Sequence, residues 1–290
     1  MSRSAHFWWT LLRHRPMTVA RILPRRLREA AMPAPTGLAT ARFGTVRLEL
    51  DMSLHVLMRK FYFRTHEIFL ESVLSRFLRP GAIFIDVGAN VGYWSAFAAD
   101  RVGSEGEIHS FEPVPYNFAR LRRLVELNPH RRIRANLAAC GEQAGTMPMA
   151  VVPPTAENFG DFAKNTGSNS LLPGFLQYAS GTERIEVAVT TLDDYVERSG
   201  IDLARVGLIK IDVEGFEYFC LKGMDRILSK PAPKVPILCE ISTDPKLNPI
   251  LEGRRIIEML EGYGYRCRDT MTLRDIDRDH LAFEENLICT

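Results

Sequence analysis

A glycine-bounded stretch, Gly81-Ala-Ile-Phe-Ile-Asp-Val-Gly-Ala-Asn-Val-Gly92, constrains this chain more than any other. Ala82 to Val87 is a short apolar run with glycine on both sides, the pattern of a strand buried on both faces of a parallel sheet. Gly88 to Gly92 is a turn that side chains would obstruct, and Tyr93 to Ala99 continues as a helix. Strand, glycine turn and helix make the first unit of a doubly wound α/β domain, whose ligands bind at that turn. The 290 residues are enough for one such domain plus an extension, and 46% hydrophobic with 25% charged residues is an ordinary globular balance.

The turn is not a dinucleotide fingerprint. Asn90 stands where G-x-G-x-x-G needs its second glycine, the one that lets backbone approach a pyrophosphate. Asp86 instead closes the strand with a carboxylate, which suits a ligand bearing an ammonium group. A second strand, Glu107 to Phe111, ends in Glu112, placed to accept both ribose hydroxyls. The expected ligand is a nucleoside carrying an amino acid, S-adenosylmethionine, held by Asp86, Gly88, Asn90, Gly92 and Glu112. The third strand, Arg132 to Ala138, ends in small apolar residues; Ala138 either flanks the adenine or belongs to the core.

Four motifs in one order carry a resemblance: Asp86-Val-Gly-Ala-Asn-Val-Gly92, Phe111-Glu-Pro-Val-Pro115, Thr191-Leu-Asp-Asp194 and Ile209-Lys-Ile-Asp-Val-Glu-Gly215. The chain resembles the FkbM family of methyltransferases over roughly residues 60 to 245. The expected fold is α/β: a doubly wound, Rossmann-like, seven-stranded, mostly parallel sheet of the class I methyltransferase type. The resemblance implies an S-adenosylmethionine-dependent O-methyltransferase whose acceptor is a hydroxyl on a sugar, glycolipid or polyketide. Glu67 matches an acidic position of the family, or is simply a helix-start carboxylate. Gly167 to Ser170 resembles a polar loop the family carries, within the irregular span 141–184.

Two further apolar strands, Val206 to Asp212 and Val235 to Cys239, end in Asp212 and Glu240. With Asp86 and Glu112 they place four acids at strand ends that meet in one cleft. Asp212, Glu214 and Glu240 are left for the substrate side, with Asp212 the first choice of base. Lys210 alternates onto the face of Asp212 and is expected to pair with a carboxylate. Glu217 reads as structural, and Thr191-Leu-Asp-Asp194 as a capped helix start. A divalent ion among the acids is a second reading and not the favoured one. No Cys/His cluster has zinc spacing, and His66 and His280 are lone histidines.

Residues 1–40 read as a basic extension and 41–290 as the methyltransferase domain. Seven arginines (Arg3, Arg13, Arg15, Arg21, Arg25, Arg26, Arg28) face one acid, Glu29, in the first thirty residues. Phe7 to Leu12 is too short to span a bilayer or serve as a secretory signal. A helix packed on the domain, or a loose tail, is favoured over a helix resting on an anionic membrane, which leaves peripheral membrane contact as a candidate. Five cysteines without paired spacing read as buried reduced thiols of a cytoplasmic protein. A net charge of +2 does not point to nucleic acid, and Asp212-Val-Glu-Gly215 lacks the aromatic that would stack a flipped base. The rival readings are a nicotinamide-dependent oxidoreductase on the same fold and a non-catalytic membrane-surface scaffold.

Overall fold

The computed structural model describes residues 9–10, 12–14, 16–53, 57–153, 169–171, 183–242, 253–276 and 284–290. Helix α1 (Pro16–Ala31) leads to a hairpin of β1 (Leu38–Phe43) and β2 (Val46–Asp51), then to α2 (Leu57–Phe63) and α3 (Ile68–Phe77). The wound core opens with β3 (Ile83–Val87), α4 (Tyr93–Val102), β4 (Glu107–Phe111), α5 (Pro115–Leu127) and β5 (Arg132–Asn136). Strands β6 (Ala139–Cys140), β7 (Gly145–Val151) and β8 (Glu183–Thr190) precede α6 (Leu192–Ser199) and β9 (Val206–Ile211). Then come α7 (Glu217–Lys222), α8 (Asp225–Leu228), β10 (Ile237–Ser242), α9 (Gly253–Gly262), β11 (Cys267–Asp269) and β12 (Glu284–Cys289).

Seven strands form one sheet in the order β11-β12-β10-β9-β3-β4-β5. From β10 to β5 every pairing is parallel, and β12 runs antiparallel to both neighbours. This is the expected doubly wound, mostly parallel sheet. Its centre is covered on both faces: Phe84 and Leu208 sit in one core, Ile85 and Ile209 in the other. The winding reverses between β3 and β9, so their carboxyl ends leave a crevice. The β1–β2 hairpin packs Phe43, Leu48 and Leu50 on the β3–α4 side of the sheet. The arginines of α5 pair with acids of this hairpin and of α5 itself, as Arg120 does with Glu49 and Arg123 with Glu126.

Helix α1 lies against α2 and α3. Ile22 meets Ile68, and Arg25 reaches Glu71 at 2.6 Å. Arg64 approaches the same carboxylate at 3.2 Å. Among the described residues, no helix is long and apolar enough to cross a membrane.

Several expectations give way to the tertiary structure. The irregular span 141–184 contains β7, which pairs antiparallel with β8 in a separate three-stranded sheet. Pro148 hid it from a sequence reading, yet β7 is an edge strand, where a missing N–H is tolerated. Helices α7 and α8 flank Gly223, whose carbonyl accepts from the Asp193 N–H. Cys267 and Cys289 are not reduced thiols: they face each other in the β11–β12 register and form a disulfide. Cys140, Cys220 and Cys239 are buried and free. Residues 1–8, 165–168 and His280 lie outside the described residues.

Candidate active site

The turn after β3 is built on glycine geometry. Gly88 has φ +80°, and a Cβ there would stand 1.8 Å from the carbonyl oxygen of Asp212. This turn therefore lies directly on the end of β9, and only glycine allows the contact. Gly92 also has positive φ, but its missing Cβ leaves room for Leu121 and Leu124 of α5. Its role is close packing between helices. Asn90 adopts φ +51°, and its N–H donates to Glu112 Oε2 at 2.9 Å.

Glu112 joins the two loops. Its Oε1 accepts from the Val114 N–H at 2.9 Å, and Asn117 Nδ2 lies 3.5 Å away. Burial pushes its carboxyl up to about 7 despite these hydrogen bonds. Oε2, with the Asn90 N–H as its donor, retains a lone pair for a ligand hydroxyl. Beside it opens a cleft of about 510 Å³, mouth included, which Gly88, Asn90, Glu112, Ala138, Asp212 and Glu214 help to line. Met149, Leu171 and Phe216 supply apolar wall.

The far wall comes from the insertion. Asn169 Oδ1 accepts from the Val152 N–H at 2.7 Å, and its Nδ2 donates to Tyr116 Oη at 3.2 Å. Ser170 Oγ donates to the Glu214 carbonyl at 2.8 Å. The described end of the Gly167–Ser170 segment thus ties the insertion to the loop after β9. In that loop Glu214 has φ +52°, a conformation non-glycine residues seldom adopt. Glu217 Oε1 accepts from the N–H groups of Val213 and Gly215 at 2.9 and 3.1 Å, so its buried carboxylate shapes the loop from within.

Behind the cleft lies a charged network. Lys210 is 2% exposed, and its Nζ donates to Asp212 Oδ2 at 2.7 Å. Burial would lower the ammonium, but Asp212 and Asp86 outweigh it and hold the group charged. Burial would raise Asp212, but Lys210 and a hydrogen bond with Glu240 hold it below the ordinary carboxylate range. Burial and the charge of Asp212 push Glu240 well upward, so Glu240 keeps the proton it shares with Asp212. Glu67 adds negative charge to this network, and its Oε1 lies 3.4 Å from Asn286 Nδ2. Glu67 also stands at the N-cap position of α3, as the helix-start reading has it, although its side chain makes no capping hydrogen bond.

Asp86 is fully buried and pairs in register with Lys210. Its Oδ2 accepts from Ser95 Oγ at 2.5 Å, while Oδ1 has no hydrogen-bond partner among the described residues. Of the residues singled out in the sequence, Gly88, Asn90, Glu112, Ala138, Asp212 and Glu214 meet in the cleft. Asp86, Gly92 and Glu240 stand behind its walls. Met149, Leu171 and Phe216 were not legible as site residues, because they look like ordinary core. Ser95 had a weak signal, a serine inside the apolar run Tyr93 to Ala99.

The donor set fits a nucleoside bearing a cationic amino acid. A ribose suits Glu112, an adenine suits the Ala138–Leu171 wall, and the positive end suits Asp212. Among the described residues, no three His, Cys, Asp or Glu side chains are grouped to hold a metal.

Comparison with known proteins matches residues 86–267 to the family described as Methyltransferase FkbM domain. The chain is 32% identical over 191 residues to the 31-O-demethyl-FK506 methyltransferase FkbM of Streptomyces tacrolimicus, covering 59% of this chain and 71% of that one. It is 28% identical over 167 residues to Methyltransferase 1 of Beauveria bassiana, covering 55% and 65%. Among solved structures, the methyltransferase FkbM of Methylobacillus flagellatus superposes with a TM-score of 0.44 at 17% identity, over 94% of this chain and 60% of that one.

Proposed function

Because the chain belongs to the FkbM family of S-adenosylmethionine-dependent methyltransferases, we propose that it methylates a hydroxyl of a sugar, glycolipid or polyketide-like molecule, with Asp212 as the base. The observation that carries this reading is the double position of Asp212. It lines the cleft and also bonds the buried Lys210. Bound S-adenosylmethionine supplies a methyl group already activated on a sulfonium. What remains for the protein is to orient the acceptor oxygen and take its proton.

Glu112 holds the ribose hydroxyls, while Ala138, Met149, Leu171 and Phe216 exclude water around the flat ring. Asp212 is kept ionised by Lys210 and therefore accepts a proton at neutral pH. Glu240, already protonated, hydrogen-bonds Asp212 and fixes its orientation. Glu214 borders the same end of the cleft. Oxygen as the attacking atom, which takes the methyl group as the carbon–sulfur bond breaks, is supported by the Streptomyces relative, whose name specifies a 31-O-demethyl acceptor. A nicotinamide oxidoreductase is set aside, since the family transfers methyl groups.

The test combines calorimetric binding of S-adenosylmethionine with mass spectrometry of a panel of hydroxylated acceptors. We expect Glu112→Ala to abolish binding, and Asp212→Asn to keep binding while losing methylated product. Full turnover by Asp212→Asn would remove Asp212 as the base.

A further inference from the structure

The N-terminal helix buries one face and leaves an apolar stripe on the other. Thr18 and Ile22 of α1 are buried, and Arg25 is held by Glu71. On the opposite side Pro16, Ala20, Leu23 and Leu27, spaced by four, three and four residues, are all exposed. Seven large apolar side chains are exposed among the described residues, and six of them (Trp9, Leu12, Leu23, Leu27, Met32 and Leu38) fall in the first 38 positions. That concentration is not the scatter expected of an ordinary surface.

The charge around the stripe has one sign. Arg21, Arg26 and Arg28 are exposed along α1, and Arg13 stands over the Trp9 ring at 5.0 Å. Glu29 is the single acid of α1, and it lies 3.4 Å from Arg26. An apolar stripe flanked by arginines is the pattern of a helix lying in a lipid headgroup layer. A second copy of the chain fits less well, because a two-fold contact sets the same patch on both partners and would bring arginine against arginine.

We infer that this protein docks on an anionic lipid surface through the outward face of α1, with Leu23 and Leu27 entering the headgroup layer.

The test is co-sedimentation of the full chain with vesicles of phosphatidylcholine containing about 30% phosphatidylglycerol, against phosphatidylcholine alone. The wild type is expected to bind the anionic vesicles at least about tenfold more tightly, and Leu23→Ser/Leu27→Ser to lose about tenfold or more. Arg21→Gln/Arg28→Gln, which leaves every apolar contact in place, should weaken binding to the anionic vesicles alone. Calorimetric binding of S-adenosylmethionine to each variant verifies the fold and reads the transferase proposal separately. Docking is overturned if the wild type ignores anionic vesicles or if both variants bind as it does. It is equally overturned if light scattering shows a dimer that Leu23→Ser/Leu27→Ser dissolves.

Discussion

Lys210 Nζ lies 2.7 Å from Asp212 Oδ2, and the lysine is almost wholly enclosed in the sheet. One buried cation thus serves two acids, Asp86 beside it in register and Asp212 two residues on. The contact keeps the acid at the cleft ionised although burial works against it.

Lys210→Met should therefore raise the Asp212 carboxyl. We expect turnover to fall about a hundredfold at neutral pH, with the acid limb of the rate profile moved to higher pH. Removing one partner of a buried pair should also cost about 3 kcal/mol of stability. A profile with the wild-type acid limb would show that something else holds Asp212 ionised.

Glu112 and Glu217 both titrate near 7 in the folded chain, against an ordinary 4.5. Between these values the folded chain keeps protons the unfolded chain has lost. The two groups therefore stabilise the fold at low pH, and that contribution is lost as pH rises from about 4.5 to about 7. The slope should be about 1.4 kcal/mol per pH unit for each group. Glu217→Gln keeps an oxygen for the two backbone donors and should remove half of the slope. Urea titrations across this window decide it, and an unchanged slope in the variant refutes the assignment.

Gly88→Ala places a methyl group on the Asp212 carbonyl and forces alanine to φ +80°. The expected loss is about 2–4 kcal/mol of stability together with S-adenosylmethionine binding. Thermal unfolding alongside calorimetry would show it, and a stable variant that binds normally would mean the turn can move away from β9.

Asn169→Ala leaves the buried Val152 N–H without its acceptor. A loss of about 1–3 kcal/mol follows, expressed as weaker closure of the insertion over the cleft. We expect S-adenosylmethionine to bind about tenfold more weakly, and unaltered affinity would separate the insertion from cofactor binding.

The Cys267–Cys289 bridge closes 22 residues of chain. Its removal in Cys267→Ser/Cys289→Ser should cost about 3 kcal/mol of unfolding free energy. Mass spectrometry of the alkylated wild type under non-reducing conditions offers the first check, since five modified thiols would mean that the bridge does not form.

Much of this protein is written locally. The run Ala82 to Val87 between glycines specifies a buried strand, because a short apolar run bounded by glycine is long enough for a strand and too short for a buried helix. Asp86, Glu112, Asp212 and Glu240 fall at or near the ends of parallel strands, so their convergence follows from topology. Thr191 caps α6 by accepting from the Asp194 N–H at 3.1 Å, a contact three residues long. Other features depend on partners far away in the chain. Cys267 meets Cys289 only through strand register, and β7 is a strand only because β8 lies beside it. Whether an acid at a strand end faces the cleft or the core behind it, as Asp212 and Asp86 respectively do, is decided by neighbouring helices. The same holds for α1, whose amphipathic pattern is visible in sequence, while only packing against α3 determines that Ile22 is buried and that Leu23 and Leu27 face outward. Sequence by itself determined the strands, the glycine turn and the set of acids, since these rest on short-range backbone preference and periodicity. Tertiary structure alone decided which of those acids are paired, which are protonated and which reach the ligand, because charge, burial and hydrogen bonding are sums over distant residues.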